Sequence, residues 1–163
     1  MLCLRNATAD DLEAIATLES ASFPVEEAAD RTRLAERLAV YPDCFWLLYD
    51  EKNLLSYACG LATGHRDLAD AMYANAHMHE KDGPWQMLFS VCTDPGHRGL
   101  GLAHHVLCAA IEASRARGKA GLVLTCKKPL VPFYGSFGFA DEGVCTSTHG
   151  GQVWHQMRLV LGA

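Results

Sequence analysis

The most informative segment of this chain is Asp94-Pro95-Gly96-His97-Arg98-Gly99-Leu100-Gly101-Leu102-Ala103. An apolar run before it predicts a buried strand over residues 85–93, and helical periodicity after it predicts an amphipathic helix over residues 101–116. The glycines let the backbone turn tightly and approach a ligand without Cβ obstruction. The first amide N–H groups of a helix have no partner within it and carry partial positive charge. The segment therefore predicts a main-chain cradle for a pyrophosphate, with the Arg98 cation beside it.

The elements around this segment predict a strand–helix–strand unit. Gly118 stands where a helix C-terminal glycine is expected, and residues 121–126 form a β-branched run. Two strands joined by one helix pair in parallel. The P-loop pattern G-x-x-x-x-G-K-[ST] is absent, and the glycine spacing does not give G-x-G-x-x-G, so neither familiar nucleotide loop applies.

The first half of the chain predicts two helices and a hairpin. A strand over residues 2–7 precedes Thr8 and Asp11, which are spaced as a capping box for a first helix that ends or kinks at Pro24. A second helix is predicted over residues 28–40, with Leu34 and Leu38 inward. Its three arginines are predicted to be solvated: Arg31, Arg33 and Arg37. Two apolar runs, residues 44–49 and 54–63, flank a polar turn and predict the hairpin.

The second half begins with a polar connection over residues 64–84, which is long enough to carry a function or a short helix. A short helix near residues 130–137 and two strands, residues 139–145 and 153–161, complete the pattern. Together the elements predict a mixed sheet with helices on both sides, in one domain.

Composition limits the function classes. A chain of 163 residues favours one compact domain, and its formal charge of −5 argues against nucleic acid and is compatible with a cationic substrate. No apolar run is long enough for a signal peptide or a membrane span, which predicts a cytoplasmic protein without membrane partners. The seven cysteines form no C-x-x-C pair, so we expect buried reduced thiols and no metal site.

Four motifs give the chain a family resemblance. Arg98-x-x-Gly101-x-Ala103 resembles the [QR]-x-x-G-x-[GA] signature of GNAT N-acetyltransferases, and residues 133–139 resemble their FYxxFGF segment. Within that family, Leu-Val-Pro-Phe-Tyr at residues 130–134 and Gly-Gly-Gln-Val-Trp-His-Gln-Met at residues 150–157 are similar to the arylalkylamine N-acetyltransferases. Residues 23–29 resemble the FPxxEAA segment of their bacterial and fungal relatives. The matches span most of the chain and occur in family order.

The resemblance implies a fold, a co-substrate and site residues. The fold would be a single α/β (α+β) GNAT domain over residues 1–163, with a mixed, mostly antiparallel sheet of about six or seven strands splayed at the acetyl-CoA site and about four helices. Acetyl-CoA would be the co-substrate, with no metal. The pantetheine arm and thioester carbonyl would contact the backbone of Val91, Cys92 and Thr93. The pyrophosphate would be held by Arg98, Gly99, Leu100, Gly101, Leu102, Ala103 and His104, and Phe133 would help close the site.

Tyr134 would be the general acid that protonates the departing thiolate. A phenol of pKa about 10 can protonate a thiolate of pKa about 8.5 with only a small uphill step.

The proton of the amine has no obvious acceptor. Vertebrate arylalkylamine enzymes are thought to use two histidines on the strand before the cofactor loop, but the matching positions here are Met87 and Phe89. Three replacements stay open: Glu26 or Glu27, which we rank first; His77 and His79 in the long connection; or a water chain with no side-chain base. Three tryptophans are candidates for an aromatic acceptor pocket, although core packing is commoner: Trp46, Trp85 and Trp154.

Three functions follow from these features. The first is N-acetylation of a small-molecule amine, with arylalkylamines favoured and polyamines next, by a monomer or homodimer. The second is acetylation of protein N-termini or lysines, for which the connection before Trp85 would have to leave an open groove. The third is a non-catalytic domain that senses acetyl-CoA.

Overall fold

The computed structural model describes residues 1–162, which form nine strands and five α-helices joined by short 3-10 turns. The helices are α1 (Leu12–Ser22), α2 (Arg31–Val40), α3 (Ala71–Ala74), α4 (Leu102–Ala116) and α5 (Val131–Gly135). The strands are β1 (Leu2–Arg5), β2 (Phe45–Asp50), β3 (Asn53–Cys59), β4 (Ala62–Thr63), β5 (Trp85–Leu88), β6 (Ser90–Thr93), β7 (Gly121–Cys126), β8 (Ala140–Val144) and β9 (His155–Val160).

The strands form two sheets, in the orders β1-β2-β3-β6 and β4-β5-β7-β9-β8. The pair β5–β7 is parallel and the remaining pairs in residues 1–162 are antiparallel. Helix α4 makes the crossover from β6 to β7, and Gly118 follows its end with a φ of 69°. The predicted α/β fold, the hairpin β2–β3 and the parallel strand–helix–strand unit are confirmed, with two sheets in place of one.

The strand predicted over residues 85–93 is divided at Phe89 between the two sheets. Ser90 lies opposite Cys59 in the β3–β6 register, and the Phe89 amide also donates to the Cys59 carbonyl at 2.7 Å. Two residues against one make a bulge, which turns the strand. On the facing chain, a Cβ at Gly60 would lie 1.8 Å from the Met87 carbonyl oxygen, so only glycine permits this close crossing.

Helix α2 departs from its prediction in two ways. It begins at Arg31 rather than near residue 28, because the Asp30 carboxylate caps it by accepting from the Arg33 amide at 2.8 Å. Leu34 and Leu38 are buried as predicted, but Arg37 is only 3% exposed. The prediction that Arg37 is solvated is wrong, because this residue lies three positions after Leu34 and shares its inward face.

The cysteines are partly as predicted. All seven, which lie within the described residues, are free thiols, and four of them are buried: Cys44, Cys59, Cys92 and Cys126. Cys3 is exposed, because both faces of edge strand β1 are open to solvent. No helix within residues 1–162 has both the length and the apolar character needed to cross a bilayer.

The predicted capping box at Thr8 and Asp11 is present and also anchors β1. The buried Asp11 carboxylate accepts hydrogen bonds from both terminal nitrogens of Arg5, at 2.8 Å each, and from the Thr8 amide at 2.8 Å. The Tyr49 hydroxyl donates to it as well. The Arg5 hydrogen bonds, helped by those from Thr8 and Tyr49, lower the pKa of Asp11 from its ordinary 3.8 to about 2.

This lowered pKa predicts a specific dependence of stability on pH. A carboxyl group whose pKa is depressed in the folded state adds stability above its unfolded pKa and loses it as the pH falls through the folded value. We expect wild type to exceed Asp11→Asn by about 2 kcal/mol in the free energy of unfolding at pH about 5, and most of this difference to vanish by pH about 2. Urea unfolding across that range measures it. Asp10→Asn, at the exposed neighbouring carboxylate, is the control, and parallel curves for wild type and Asp11→Asn would contradict the assignment.

Candidate active site

The divergence of the two sheets opens a groove of about 610 Å³ at the start of α4. Gly99 and Gly101 have φ values of 80° and 75°, and a Cβ on either would meet no atom within 4 Å, so the backbone here lies open to solvent. Gly101 caps α4, and the free amides of its first turn face the groove. This geometry is an anion cradle, and the exposed Arg98 side chain adds a full positive charge.

The predicted cofactor residues gather at this groove with one exception. Its walls include Val91, Cys92, Thr93, Arg98, Gly99, Gly101, Leu102, Ala103, His104 and Phe133. Leu100 is not among them, because its side chain projects into solvent and is 66% exposed.

Strand β6 offers main-chain groups to the groove. It pairs with β3 on one side, and within the described residues no strand pairs with its other edge. The Asp94 amide donates to the Leu55 carbonyl, so the alternation of an antiparallel ladder turns the main-chain groups of Cys92 toward β3. The Cys92 carbonyl also accepts from the Ser56 hydroxyl at 2.7 Å. The main-chain groups that face the groove are therefore those of Val91 and Thr93, and the expected contribution of Cys92 is already used.

A second cavity, of about 270 Å³, adjoins the groove. Five residues line both spaces: Ser22, Phe23, Val91, Leu130 and Tyr134. Tyr134 is 7% exposed, and no hydrogen bond from its hydroxyl is found within residues 1–162. Burial, with smaller effects from Cys126 and Cys92, raises its pKa well above the usual value for tyrosine. The phenol thus stays protonated at neutral pH, at the junction of the two spaces.

Three segments far apart in the sequence meet at the cavity and line part of it. The turn that follows α1 contributes Glu27, the long connection contributes Tyr73, and the loop before β9 contributes His149 and Trp154. The Tyr73 and His149 rings stack with centroids 4.5 Å apart, and His149 Nε2 is 2.9 Å from the Glu27 carbonyl oxygen. The FPxxEAA, LVPFY and GGxxWxxM motifs therefore meet around one space.

Only one of the two predicted carboxylates, Glu26 and Glu27, lines the cavity. Glu26 is exposed and does not line the cavity, whereas Glu27 lines it with its carboxylate 2.9 Å from Lys127 Nζ. A third carboxylate, Glu19, was missed: it is 2% exposed and lines the cavity. Glu19 accepts from the Ser90 hydroxyl and the Ala29 amide, both at 2.9 Å, and from the Tyr57 hydroxyl.

The histidine alternative does not reach the cavity. His79 lines a separate depression, where its Nδ1 accepts from the Ala62 amide at 3.0 Å and its ring packs on Tyr41. His77 is exposed. The end of the connection packs against β4, where the Glu80 amide donates to the Ala62 carbonyl at 2.8 Å, and this holds His79 away from the cavity. The alternative in which these histidines fold over the site is therefore not supported by the structure. At the relay positions, Met87 is fully buried and Phe89 forms an apolar wall of the cavity.

The three tryptophans have three environments. Trp154 lines the cavity and donates its indole N–H to the His149 carbonyl at 2.7 Å. Trp46 is buried in the core, and Trp85 packs against the guanidinium of Arg158, 4.6 Å from its ring centroid. One of the three, Trp154, therefore lines the cavity.

Helical spacing could have indicated that two residues missed in the sequence analysis are buried. Glu19 lies four positions after buried Ile15, and Arg37 lies three after buried Leu34. A charged side chain on the buried face of a helix needs a partner of opposite charge or hydrogen-bonding groups, so it is a candidate for a role in a site. No comparable local signal marks Tyr73 or His149, because their partners are distant in sequence.

Gly150 provides a test of how the cavity is closed. Gly150 and Gly151 both have positive φ, 62° and 70°, but a Cβ on Gly150 would lie 2.6 Å from Glu27 Cγ, and one on Gly151 would meet nothing within 4 Å. Both alanine variants must hold a left-handed backbone, and Gly150→Ala must also displace Glu27. We expect Gly150→Ala to be less stable than Gly151→Ala by about 1–3 kcal/mol in urea unfolding. Equal stabilities would show that the loop does not pack on Glu27.

Comparison with known proteins agrees with this geometry. Residues 12–139 match the model of the acetyltransferase (GNAT) family. The loading GNATL domain of CurA from Lyngbya majuscula superimposes with a TM-score of 0.85 at 14% identity, covering 98% of each chain. The Escherichia coli ribosomal-protein-S18-alanine N-acetyltransferase gives 0.74 at 17% identity, covering 100% of this chain and 96% of that one. The PaiA N-acetyltransferase from Thermoplasma acidophilum, in complex with coenzyme A, gives 0.73 at 12%, covering 99% of both.

At these identities the structural likeness shows the fold alone, and no curated protein matches the sequence. The family model, however, covers most of the chain, including α1, the groove segment and Tyr134. By that match the chain belongs to the acetyltransferase (GNAT) family.

Proposed function

We propose that this protein is an acetyl-CoA-dependent N-acetyltransferase that acetylates the primary amine of a small molecule, with arylalkylamine-type acceptors favoured. The observation that carries the proposal is the position of Tyr134, which lines both the groove at α4 and the adjoining cavity. A donor in one space and an acceptor in the other would meet beside its hydroxyl.

The groove suits the donor. The free amides at the start of α4, with Arg98, would bind the pyrophosphate of acetyl-CoA. The main-chain groups of Val91 and Thr93 would hydrogen-bond the pantetheine arm and hold the thioester carbonyl. Tyr134 and Phe133 line the groove and would lie near the reacting sulfur.

The cavity suits a small acceptor. Tyr73, from the connection that would have to leave room for a peptide, instead lines the cavity and bonds across it to the Thr125 hydroxyl at 2.9 Å. Asp70, from the same connection, accepts from the Thr148 amide at 3.1 Å. These contacts hold the connection against the cavity and leave less room for a peptide. Its aromatic walls, formed by Phe23, Tyr73, Phe89 and Trp154, favour an aromatic amine.

The residues supply both proton transfers that the reaction needs. The amine nitrogen attacks the thioester carbon, the C–N bond forms, and the C–S bond then breaks. Tyr134 donates its hydroxyl proton to the sulfur as it leaves, and burial raises the basicity of that thiolate as well as the pKa of the phenol. The proton lost by the amine goes toward Glu19, directly or through the Ser90 hydroxyl. Glu19 is better suited than Glu27, whose charge is neutralised by Lys127.

A thiol-release assay with acetyl-CoA tests the reaction class. The panel contains aromatic amines, aromatic amino acids, polyamines and short peptides. We expect turnover with small aromatic amines or amino acids and little with peptides. Turnover with peptides alone would identify a protein acetyltransferase. Tight acetyl-CoA binding with no turnover on any member would identify a sensor domain, which the apolar Met87 and Phe89 at the relay positions would suit.

Tyr134→Phe tests the general acid. Removing the hydroxyl while keeping the ring should lower kcat about 10²–10⁴-fold and leave the Kd for acetyl-CoA nearly unchanged. Tyr41→Phe is the control, because Tyr41 is fully buried outside both spaces and its hydroxyl has no partner in residues 1–162. A Tyr134→Phe enzyme with full kcat would remove Tyr134 from the mechanism.

A further inference from the structure

We infer that the acceptor is a zwitterion, an amine that also carries a carboxylate, whose acidic group binds Arg37 and Arg33 while its amino group faces Glu19. The inference rests on the proposed function and names the substrate class for the same cavity. Aromatic α-amino acids are the compounds that combine these charges with an aromatic body.

Arg37 is a buried cation that no carboxylate within residues 1–162 contacts, and the nearby charge of Glu19 acts on it only at longer range. It is 3% exposed, yet no carboxylate within residues 1–162 lies within 4.0 Å of its guanidinium, and its Nε has no hydrogen-bond partner. Its other contacts are the Tyr73 carbonyl at 3.0 Å from Nη2, the Cys59 sulfur at 3.9 Å from Nη1, and the Phe89 ring. None of these groups carries a negative charge at neutral pH. A buried charge without a contacting counter-ion is costly, and Arg37 lines the cavity, so an anionic ligand group there would compensate it.

Arg33 extends the same positive wall. It lies four residues before Arg37 on α2, and both line the cavity. Arg33 is half-buried, and its guanidinium forms no ion pair within the described part of the chain. Two planar guanidinium groups one helical turn apart match the two oxygens of a carboxylate.

The other cation at the cavity is already neutralised. Lys127 Nζ lies 2.9 Å from the carboxylate of Glu27, whose side chain is 8% exposed. The positive charge that remains is therefore confined to the α2 side of the cavity.

Glu19 is the negative counterpart on α1. Its three hydrogen-bond donors, Tyr57, Ser90 and Ala29, are all neutral, and no cation in residues 1–162 lies within 4.0 Å of its carboxylate. Cys59 separates it from Arg37: the sulfur accepts from Arg37, and Cys59 lies opposite Ser90 in the β3–β6 register. The cavity thus holds two buried opposite charges apart, an arrangement complementary to a ligand with both charges.

Pairs of compounds that differ only in the carboxylate test this directly. We compare kcat/KM for tryptophan with tryptamine and for phenylalanine with phenethylamine. A charge-assisted bidentate contact predicts that each amino acid exceeds its decarboxylated amine by about 10–100-fold. Arg37→Met should reduce this ratio to near one by lowering the value for the amino acid selectively. A purely structural role of Arg37 would lower both members of a pair equally.

Further variants allow the test to be made even if Arg37→Met does not fold. Arg33→Met, at a half-buried position, should reduce the ratio in part, and Arg37→Lys, which keeps the charge but loses the planar fork, should do the same. Arg31→Met is the matched control, because Arg31 lies exposed on the same helix and pairs with Glu13. The inference would be overturned if wild type showed equal kcat/KM for each amine and its amino acid. It would also be overturned if the ratio stayed unchanged in all the Arg33 and Arg37 variants.

A failure of the proposed function can be distinguished from a failure of the zwitterion inference. If neither member of any pair is turned over, N-acetylation of these amines fails. The charge assignment is then read from thermal unfolding: stabilisation by tryptophan but not tryptamine, lost in Arg37→Met, supports the zwitterion site. Equal or no stabilisation by the two compounds overturns it.

Discussion

The rest of the structure depends on the parting of the two sheets after Leu88. Strands β5 and β6 are consecutive in sequence, yet one pairs with β7 and the other with β3. Because the bulge at Phe89 turns the chain between them, β6 keeps one edge free of strand pairing within residues 1–162. Helix α4 begins beside this free edge, so the unpaired amides of a helix start and the unpaired groups of a strand open into the same groove. The close crossing at Gly60 makes the parting possible.

The cavity beside the groove is lined by loop residues as well as by residues of β6, β7, α1 and α2. The turn after α1, the connection that contains α3 and the loop before β9 contact one another through Glu27, Tyr73 and His149. Gly150 permits this closure, since any side chain there would displace Glu27. Tyr134, on a short helix at the junction, is one of the five residues that line both the cavity and the groove.

The sequence patterns predicted the main helices and strands correctly but did not identify Arg37 and Glu19 as buried charged residues. Periodicity identified the hairpin, the strand–helix–strand unit and the amphipathic α4, because each depends on neighbours a few residues apart. It placed Arg37 in solvent because arginine is usually exposed, although the spacing from Leu34 put it on the buried face. It named Glu26 and Glu27 and missed Glu19, because motif resemblance pointed to the turn, whereas the orientations of Glu19 and Glu27 depend on Tyr57, Ser90 and Lys127, which lie on other elements.

The sequence by itself determined the anion cradle at residues 98–104, since glycine torsions and the free amides of a helix start are set within a few consecutive residues. It also determined the order of elements from which the fold is assembled. Only the tertiary structure decided that Tyr134 lies between two spaces, that Glu19 and Arg37 face one cavity, and that His79 does not. These facts depend on contacts between residues tens of positions apart, and a pattern along the chain carries no information about which distant side chains will meet.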